Sequence, residues 1–297
     1  MFKNVIVGVD GRSGGRDAAA LAHRLLDHRG KLTLVHVHLE TTAVIVHEFD
    51  SAAQKEAQRL LESEREAAGG VAEVASIGGT SVAAGLHRYA EEHGADLLIV
   101  GTCRRGVVGR VLVGDDTRSS LQCAPCAVAI PPRGYAEVSA PIEIIGVGYD
   151  ASAESEAALA KARELAGGGG VEIHALIVVA AVRFDGSKLA PLNSVMGTDP
   201  RLNELRRRLG ELDYVTARPA YGIPVEELGT FGEEVDLLLL GSSIEGPKGR
   251  LIANRISKHL ARASRCPLMV VPLAPIQPEF GDGKAQGEAT PGLERTP

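Results

Sequence analysis

The feature that most constrains the fold of this 297-residue chain is an internal repeat. Residues separated by 140 positions agree in type without a gap at both ends of a repeated unit. The matched pairs are Asp10 and Asp150, Asp96 and Asp236, Gly101 and Gly241, Gly106 and Gly246, Gly109 and Gly249, Arg110 and Arg250, and Cys126 and Cys266. A repeat of this length indicates that one small domain is duplicated.

Composition changes place the boundaries between the copies. The segment PPRGYAEVSAP has the proline, glycine and polar content typical of a linker. After Pro272 the chain becomes rich in Gly, Pro, Glu and Lys, which is typical of disorder. We therefore predict a first domain at 1–133, a linker at 134–141, a second domain at 142–273 and a disordered tail at 274–297.

Composition also excludes several classes of partner. Apolar residues are 44% and charged residues 24% of the chain, as in folded proteins that bury a core. The net charge is −6 and aromatic residues are only 3%, so neither nucleic acid nor a membrane surface is an expected partner. The longest apolar stretches, such as 175–182, are too short to span a bilayer. Four cysteines without a secretion signal predict reduced thiols in the cytoplasm.

Each copy alternates short apolar runs with helical patterns. VIVGV, LTLVHV, LLIV and VAI are continuously apolar, which indicates parallel strands covered on both faces. The segments that suit helices in the first copy are Gly15–His28, Ala52–Ala68, Ser81–His93 and Thr117–Gln122. This order predicts two tandem doubly wound α/β domains. Ligands bind such sheets at the carboxyl ends of the strands where the strand order reverses, which here means the loops after the first and fourth strands.

The loop after the first strand contains Gly8, Asp10 and Ser13. An aspartate that ends a strand and faces a crevice can accept hydrogen bonds from ribose hydroxyls. The alternative is that Asp10 caps the following helix and binds nothing. Its recurrence as Asp150 does not decide between the two, because duplication copies structural caps as well as sites.

The loop after the fourth strand, GTCRRGVVGRVLVGDDTRSS, starts at Gly101. Glycine amides and a helix N-terminus can bind an anion, and arginine side chains add positive charge for phosphates. The arginines are Arg104, Arg105, Arg110 and Arg118. The alternative is a long solvated loop whose arginines face water.

These motifs resemble the universal stress proteins, in the tandem-domain form typical of actinobacteria. The resemblance covers 2–132 and 142–272 and depends on V-G-x-D, L-x-H-V, A-D-L-L-x-V-G and A-P-C-x-V. It implies five-stranded parallel sheets of the adenine nucleotide alpha hydrolase-like type. It also implies that the last strands, around Ala127–Ile130 and Leu268–Val271, pair as an intrachain pseudo-dimer. A further dimer of chains is compatible with it.

The resemblance also implies a nucleotide site for ATP or AMP. The family signature is G-x2-G-x9-G-[ST]; in the first copy Gly101 and Gly114 fit it, whereas Arg104 and Asp115 replace Gly and Ser/Thr. Asp115 and Asp116 would repel phosphates unless Mg²⁺ lies between them. The candidate nucleotide-binding residues of the first copy are Gly8, Asp10, Val37, Gly101, Arg104, Gly106, Gly114, Asp115 and Thr117.

The second copy departs further from the signature. Ile244 and Asn254 replace glycines and Arg255 replaces Ser/Thr, so a site here is the less favoured of the two. The candidate residues of the second copy are Gly148, Asp150, Ala175, Gly241, Gly246 and Ser257. In the family the opening aspartate contacts ribose and the residue after the strand-two histidine contacts adenine, which implies Asp10 and Val37, then Asp150 and Ala175.

The function implied by the resemblance is a cytoplasmic stress-response regulator with an unknown protein partner, and at most a slow ATPase. One alternative is a scaffold that has lost nucleotide binding. Another is an ATP-pyrophosphatase-like adenylating enzyme, since Ser13–Asp17 is close to that family's S-G-G-x-D-S phosphate loop. Ala18 replaces its final Ser, and the second copy reads SAESEA there, so a structural helix start is the better interpretation.

Two smaller groups are interpreted as structural. His36 and His38 lie on one face of a strand, but no further ligand joins them at a convincing spacing and only His174 recurs. Cys123 and Cys126 form a C-x2-C pair, of which only Cys126 has a counterpart. We therefore predict no metal site and no catalytic residues.

Overall fold

The computed structural model describes residues 1–39, 47–102, 119–138, 140–167, 170–180, 200–242 and 251–273. Candidate residues Arg104, Gly106, Gly114, Asp115, Thr117 and Gly246 lie outside these ranges, as does the predicted tail.

The first repeat contributes six strands and three helices to the described structure. The strands are β1 (Phe2–Gly8), β2 (Leu26–Leu39), β3 (Glu73–Gly79), β4 (Leu97–Val100), β5 (Gln122–Ala124) and β6 (Ala127–Ile130). The helices are α1 (Ser13–Leu25), α2 (His47–Ala67) and α3 (Val82–Glu92). A 3-10 turn, Tyr135–Glu137, follows β6.

The second repeat has the same order of elements as far as its fourth strand. Its strands are β7 (Ile144–Gly148), β8 (Glu172–Ala180), β9 (Val215–Gly222), β10 (Leu237–Gly241), β11 (Leu251–Ile252) and β12 (Leu268–Val271). Its helices are α4 (Ala153–Ala166), α5 (Pro200–Gly210), α6 (Pro224–Phe231) and α7 (Arg255–Ala263).

One ten-stranded sheet runs through both repeats in the order β3-β2-β1-β4-β6-β12-β10-β7-β8-β9. Each half has five strands, and all pairs within a half are parallel. The halves join where β6 pairs antiparallel with β12, with Leu268 opposite Ile130. The predicted α/β class, the five-stranded parallel sheets and the pairing of the last strands are therefore confirmed. This pairing covers two apolar strands that would otherwise be exposed edges.

Packing explains which elements the sequence showed clearly. The central strands β4 and β12 are buried along their whole length, whereas the edge strand β3 is mostly exposed or half-buried. An edge strand has little need for a continuous apolar run, which is why β3 is not among the apolar runs that predicted strands. Helices on both faces of the sheet bury two apolar clusters that each extend across both repeats.

Three predicted helix boundaries are wrong. Helix α2 begins at His47 rather than Ala52. Helix α1 ends at Leu25 rather than His28, because β2 begins at Leu26, where Leu26 pairs with Phe2 of β1. The helix predicted at Thr117–Gln122 does not reach Gln122, which instead begins β5. Strand β5 pairs antiparallel with β11 in a separate two-stranded sheet that connects the repeats.

Candidate functional site

The two aspartates that follow the first strand of each repeat form the same tight turn. Asp10 Oδ1 accepts from the backbone N–H of Arg12 at 3.1 Å, and Asp150 Oδ1 accepts from the N–H of Ser152 at 3.0 Å. The residue between them, Gly11 or Ala151, has a positive φ. The helices are capped by Arg12 and Ser152 themselves, so the interpretation of Asp10 as a helix cap is wrong. The second carboxylate oxygen of each aspartate is not used by this turn bond.

The glycines that end the fourth strands allow close backbone packing. A Cβ on Gly101 would lie 2.1 Å from the carbonyl oxygen of Gly14, and a Cβ on Gly241 would lie 2.2 Å from that of Glu154. Real Cβ atoms do not approach this closely, so only glycine at these positions lets α1 and α4 start against the ends of β4 and β10. The repeated glycine is therefore explained by packing, with or without a ligand.

A cavity of about 330 Å³ lies at the carboxyl ends of β7, β8 and β10. This is the predicted place, because the chain runs from β7 to β8 and β9 on one side and returns to β10 on the other. The lining residues are Gly148, Tyr149, Asp150, Ser152, Glu154, Ser155, Leu176, Val178, Arg201, Pro224, Leu228, Leu240, Gly241, Asn254 and Ile256. Three of the predicted residues, Gly148, Asp150 and Gly241, line it together.

The strand register corrects one predicted residue. Gly8 lies opposite Val35, and Gly148 lies opposite Leu176. Val178 is therefore the counterpart of Val37, two positions further along, and it lines the cavity. The sequence assigned this position to Ala175 because it aligned His174 with His36, and this assignment is wrong. Ala175 is fully buried and lies opposite Val147, one residue before the pair Gly148 and Leu176.

Ser257 also has a structural role. It is fully buried in the first turn of α7, and its N–H and hydroxyl both donate to Asn254 Oδ1, at 2.7 and 3.0 Å. The residue that faces the cavity is Asn254, which replaces a signature glycine. An asparagine that caps a helix explains why a non-glycine residue is stable at this position.

The cavity combines opposite charges. Burial would raise the pKa of Asp150, but hydrogen bonds from Ser152 and Ser155 and the charge of Arg201 outweigh it and lower that pKa. Asp150 is therefore ionised at neutral pH. Glu154 and Arg201 also line the cavity, and the sequence analysis missed both. Glu154 could have been found as the counterpart of Gly14, whereas nothing in the sequence connects Arg201 of α5 to this loop.

In the first repeat, the described part of the predicted site is Gly8, Asp10, Val37 and Gly101. Asp10 Oδ2 lies 3.3 Å from Arg12 Nη1, and both side chains are more than half exposed. Val37 is buried on β2 and packs against Gly85 of α3, where a Cβ on Gly85 would lie 2.7 Å from Val37 Cγ1. The loop that carries the other predicted residues lies outside the described ranges.

The motif Ser13–Asp17, the basis of the adenylating-enzyme alternative, is explained by packing. A Cβ on Gly14 would lie 2.4 Å from the carbonyl oxygen of Thr102. Asp17 is 1% exposed, and its carboxylate accepts from the backbone N–H groups of Gly134 and Ala136 at 3.0 and 2.8 Å. Asp17 thus holds the segment between the repeats, which argues against a phosphate loop here.

The two histidines and the buried cysteines have structural surroundings, whereas Cys123 of the C-x2-C pair is exposed. His36 Nδ1 lies 3.0 Å from the carbonyl oxygen of Val9, and His174 Nε2 lies 3.0 Å from Glu172 Oε2. Among the described residues, no group of three or more His, Cys, Asp or Glu side chains could hold a metal ion. Burial raises the pKa of the Cys126 thiol, and it raises the pKa of the Cys266 thiol to about 11. Both buried cysteines are therefore protonated, which disfavours redox reactivity.

Together these observations define a tandem doubly wound α/β protein with a ligand-sized cavity at the carboxyl edge of its sheet. The model of the universal stress protein family matches residues 1–132 and again residues 141–272. The chain therefore belongs to the universal stress protein family and carries two copies of its domain. In the described part of the chain, every helix is too short or too polar to cross a bilayer.

Relatives agree with this assignment. The universal stress proteins Rv2319c of Mycobacterium tuberculosis and Mb2346c of Mycobacterium bovis are each 26% identical over 206 residues, which covers 65% of this chain and 69% of theirs. A universal stress protein structure from Archaeoglobus fulgidus matches 91% of this chain and 98% of its own, at 18% identity and a TM-score of 0.67. A putative one from Pseudomonas aeruginosa matches 93% and 95%, at 14% identity and a TM-score of 0.56. The two structures support the fold.

Proposed function

We propose that this protein is a non-catalytic, cytoplasmic regulator of the stress response that binds an adenine nucleotide, ATP or AMP, at the carboxyl edge of its sheet. The observation that carries the proposal is the cavity of the second repeat, where Gly148, Asp150 and Gly241 meet. The family implies a nucleotide at these positions.

The chemistry of the cavity suits a nucleoside unit. Asp150 is ionised and its side chain is exposed, so its carboxylate can accept hydrogen bonds from ribose hydroxyls. The buried leucines that also line the cavity, Leu176, Leu228 and Leu240, supply an apolar surface for a base. Pockets that combine an apolar wall with a few polar groups are typical of small-molecule sites.

A bound nucleotide would act by shifting a conformational equilibrium. It can do so only by its difference in affinity between two states of the loops around the cavity. The expected readout is therefore binding of a protein partner that changes with nucleotide. Any ATPase activity would be slow, and Mg²⁺ would accompany phosphates at the first-repeat loop.

The test is to denature the purified protein, identify released nucleotide by mass spectrometry, and titrate the nucleotide-free protein with AMP and Mg-ATP in a calorimeter. We expect the protein to bind nucleotide, and we expect Asp150→Ala to weaken nucleotide binding in the second repeat at least tenfold. Asp10→Ala and Gly114→Glu should weaken binding in the first repeat. Asp213→Ala, at an exposed position on the opposite edge of the sheet from these loops, is the control.

No released nucleotide and no heat at millimolar AMP or ATP would contradict the proposal. The protein would then be a scaffold whose cavity has lost its ligand. Release of pyrophosphate from ATP, lost in Ser13→Ala but not in Asp150→Ala, would instead support an adenylating enzyme, because Ser13 is the exposed first residue of that motif.

A further inference from the structure

We infer that the cavity of the second repeat selects an adenine nucleoside that carries at most one phosphate group, and that it rejects ADP and ATP. This inference rests on the proposed function and specifies its ligand at one of the two repeats. It follows from three features of the cavity: its helix ends, its charges and its size.

Each helix N-terminus around the cavity lacks at least one of the free backbone amides that a phosphate could use. At α7, Asn254 Oδ1 accepts both donors of Ser257. At α4, the Ser152 hydroxyl accepts from the N–H of Ser155 at 3.2 Å. Helix α6 begins with Pro224, which has no N–H to donate. Phosphate sites at helix N-termini use free backbone amides, and each of these three ends has at least one fewer to offer.

The charges of the lining residues oppose a polyphosphate. Asp150 and Glu154 place two carboxylates at the cavity, and Arg201 places one guanidinium there. A triphosphate carries up to four negative charges, and like charges repel strongly where water is partly excluded. One guanidinium can pair with a single phosphate group. The described surroundings therefore fit a neutral nucleoside or a monophosphate.

The size and the apolar wall fit the nucleoside part. A cavity of about 330 Å³ is near the lower end of the range of roughly 300–1,000 Å³ for small-molecule pockets. The buried Leu176, Leu228 and Leu240 and the half-buried Val178 and Ile256 line it. A flat base can lie on these side chains while its ribose reaches Asp150.

The first repeat lacks one of these features. Gly14 stands where the second repeat has Glu154, so the first helix start carries no carboxylate. Helix α1 also lacks a side-chain hydrogen bond at its cap, Arg12. At helix α1 the N–H of Gly15 donates to the carbonyl oxygen of Arg12 at 3.0 Å, so the first repeat differs by its missing carboxylate rather than by free helix amides.

The experiment is a calorimetric titration of the full chain with adenosine, AMP, ADP and ATP, in the parent and in Asp150→Asn, Glu154→Gln and Arg201→Gln. The second-repeat site is the one that Asp150→Asn removes. At this site we expect adenosine and AMP to bind within about threefold of each other and ATP to bind at least tenfold more weakly.

The other variants separate the causes. Glu154→Gln should improve ATP binding at least threefold without changing adenosine binding, because it removes one negative charge at constant size. Arg201→Gln should weaken the binding of AMP but not that of adenosine. This comparison does not need Asp150→Asn, so it holds even if that variant fails to fold. Glu164→Gln, at the far end of α4, is the matched control.

The outcomes distinguish this inference from the proposed function. ATP binding as tight as AMP binding, and lost in Asp150→Asn, would overturn the inference and leave the proposed function standing. ATP binding that is unaffected by Asp150→Asn, with no adenosine binding, would do the same and assign the nucleotide to the first repeat. No binding of any of the four compounds would overturn both.

Discussion

The two repeats share a backbone frame but differ in the side chains that surround it. Asp96 accepts from the N–H groups of Lys3 and Asn4, and Asp236 accepts from those of Glu143 and Ile144, so each aspartate ties the start of its first strand to the start of its fourth. Contacts to the backbone are thus retained. This is expected, because a backbone partner cannot change to accommodate a new side chain.

Contacts between side chains have diverged. In the first repeat, Arg16 of α1 faces Glu64 of α2; in the second, Glu156 of α4 faces Arg208 of α5, both at 3.9 Å. Arg16 and Glu156 occupy equivalent positions, so the ion pair has reversed its polarity. An interaction between two side chains can be exchanged when both change, and the contact between the two helices is kept.

The segment between the repeats has a contact that exists only once. Asp17 holds Gly134 and Ala136, and Arg24 donates to the hydroxyl of Tyr135 at 2.8 Å and stacks on its ring. The second repeat has Ala157 at the position of Asp17. Asp96 and Asp236 therefore serve the structure that both repeats share, whereas Asp17 and Arg24 fix the connection between the repeats.

The largest expected effect concerns Gly101 and Gly241, which occupy equivalent positions in the two repeats. Gly101→Ala and Gly241→Ala should each destabilise the protein by about 3 kcal/mol, because the new Cβ would overlap a backbone carbonyl oxygen that cannot move away. Chemical denaturation measures the loss. Gly210→Ala, whose Cβ would meet nothing within 4 Å, is the control. If only one of the two variants lost stability, the close backbone packing at these glycines would not be equivalent in the two repeats.

The next effect concerns the connecting segment. Asp17→Ala should cost about 2 kcal/mol, since it leaves two backbone N–H groups without their acceptor. It should also make residues 133–138 more sensitive to limited proteolysis. Asp213→Ala should change neither. Unchanged proteolysis in Asp17→Ala would mean that Tyr135 and Arg24 hold this segment without it.

The smallest effect tests the reversed ion pair. Burial, opposed by Arg16, raises the pKa of Glu64 above its ordinary value, so the folded state binds this proton more tightly than the unfolded state. Its contribution to stability is therefore present at low pH and is lost as the pH rises through the raised pKa. Relative to the parent, Glu64→Gln should become more stable between pH 4 and pH 7, by about 1 kcal/mol or less.

Urea denaturation across that pH range measures this difference. Arg16→Gln should steepen the loss of stability with rising pH, because it removes the charge that opposes burial of Glu64. A Glu64→Gln variant whose stability relative to the parent falls as the pH rises would contradict the sign of this prediction.

The sequence predicted most of the fold because its main signals are local. Continuous apolar runs identified the buried strands, and the 140-residue repeat showed that the unit occurs twice. The misplaced end of α1 and the missed strand β5 lie in short segments where helix and strand signals are similar. The pairing of β6 with β12 came from the family resemblance and is confirmed by the structure.

For the site, the sequence by itself determined that Asp10, Asp150, Gly101 and Gly241 lie at the carboxyl ends of strands. Only the tertiary structure decided the rest. Residue type aligned Ala175 with Val37, but the level of a residue in a sheet is set by hydrogen bonds to the neighbouring strand, which place Val178 there. Arg201 lines the cavity because its helix packs against β8 and β9. No local pattern in a sequence encodes the contact of two elements that lie far apart along the chain.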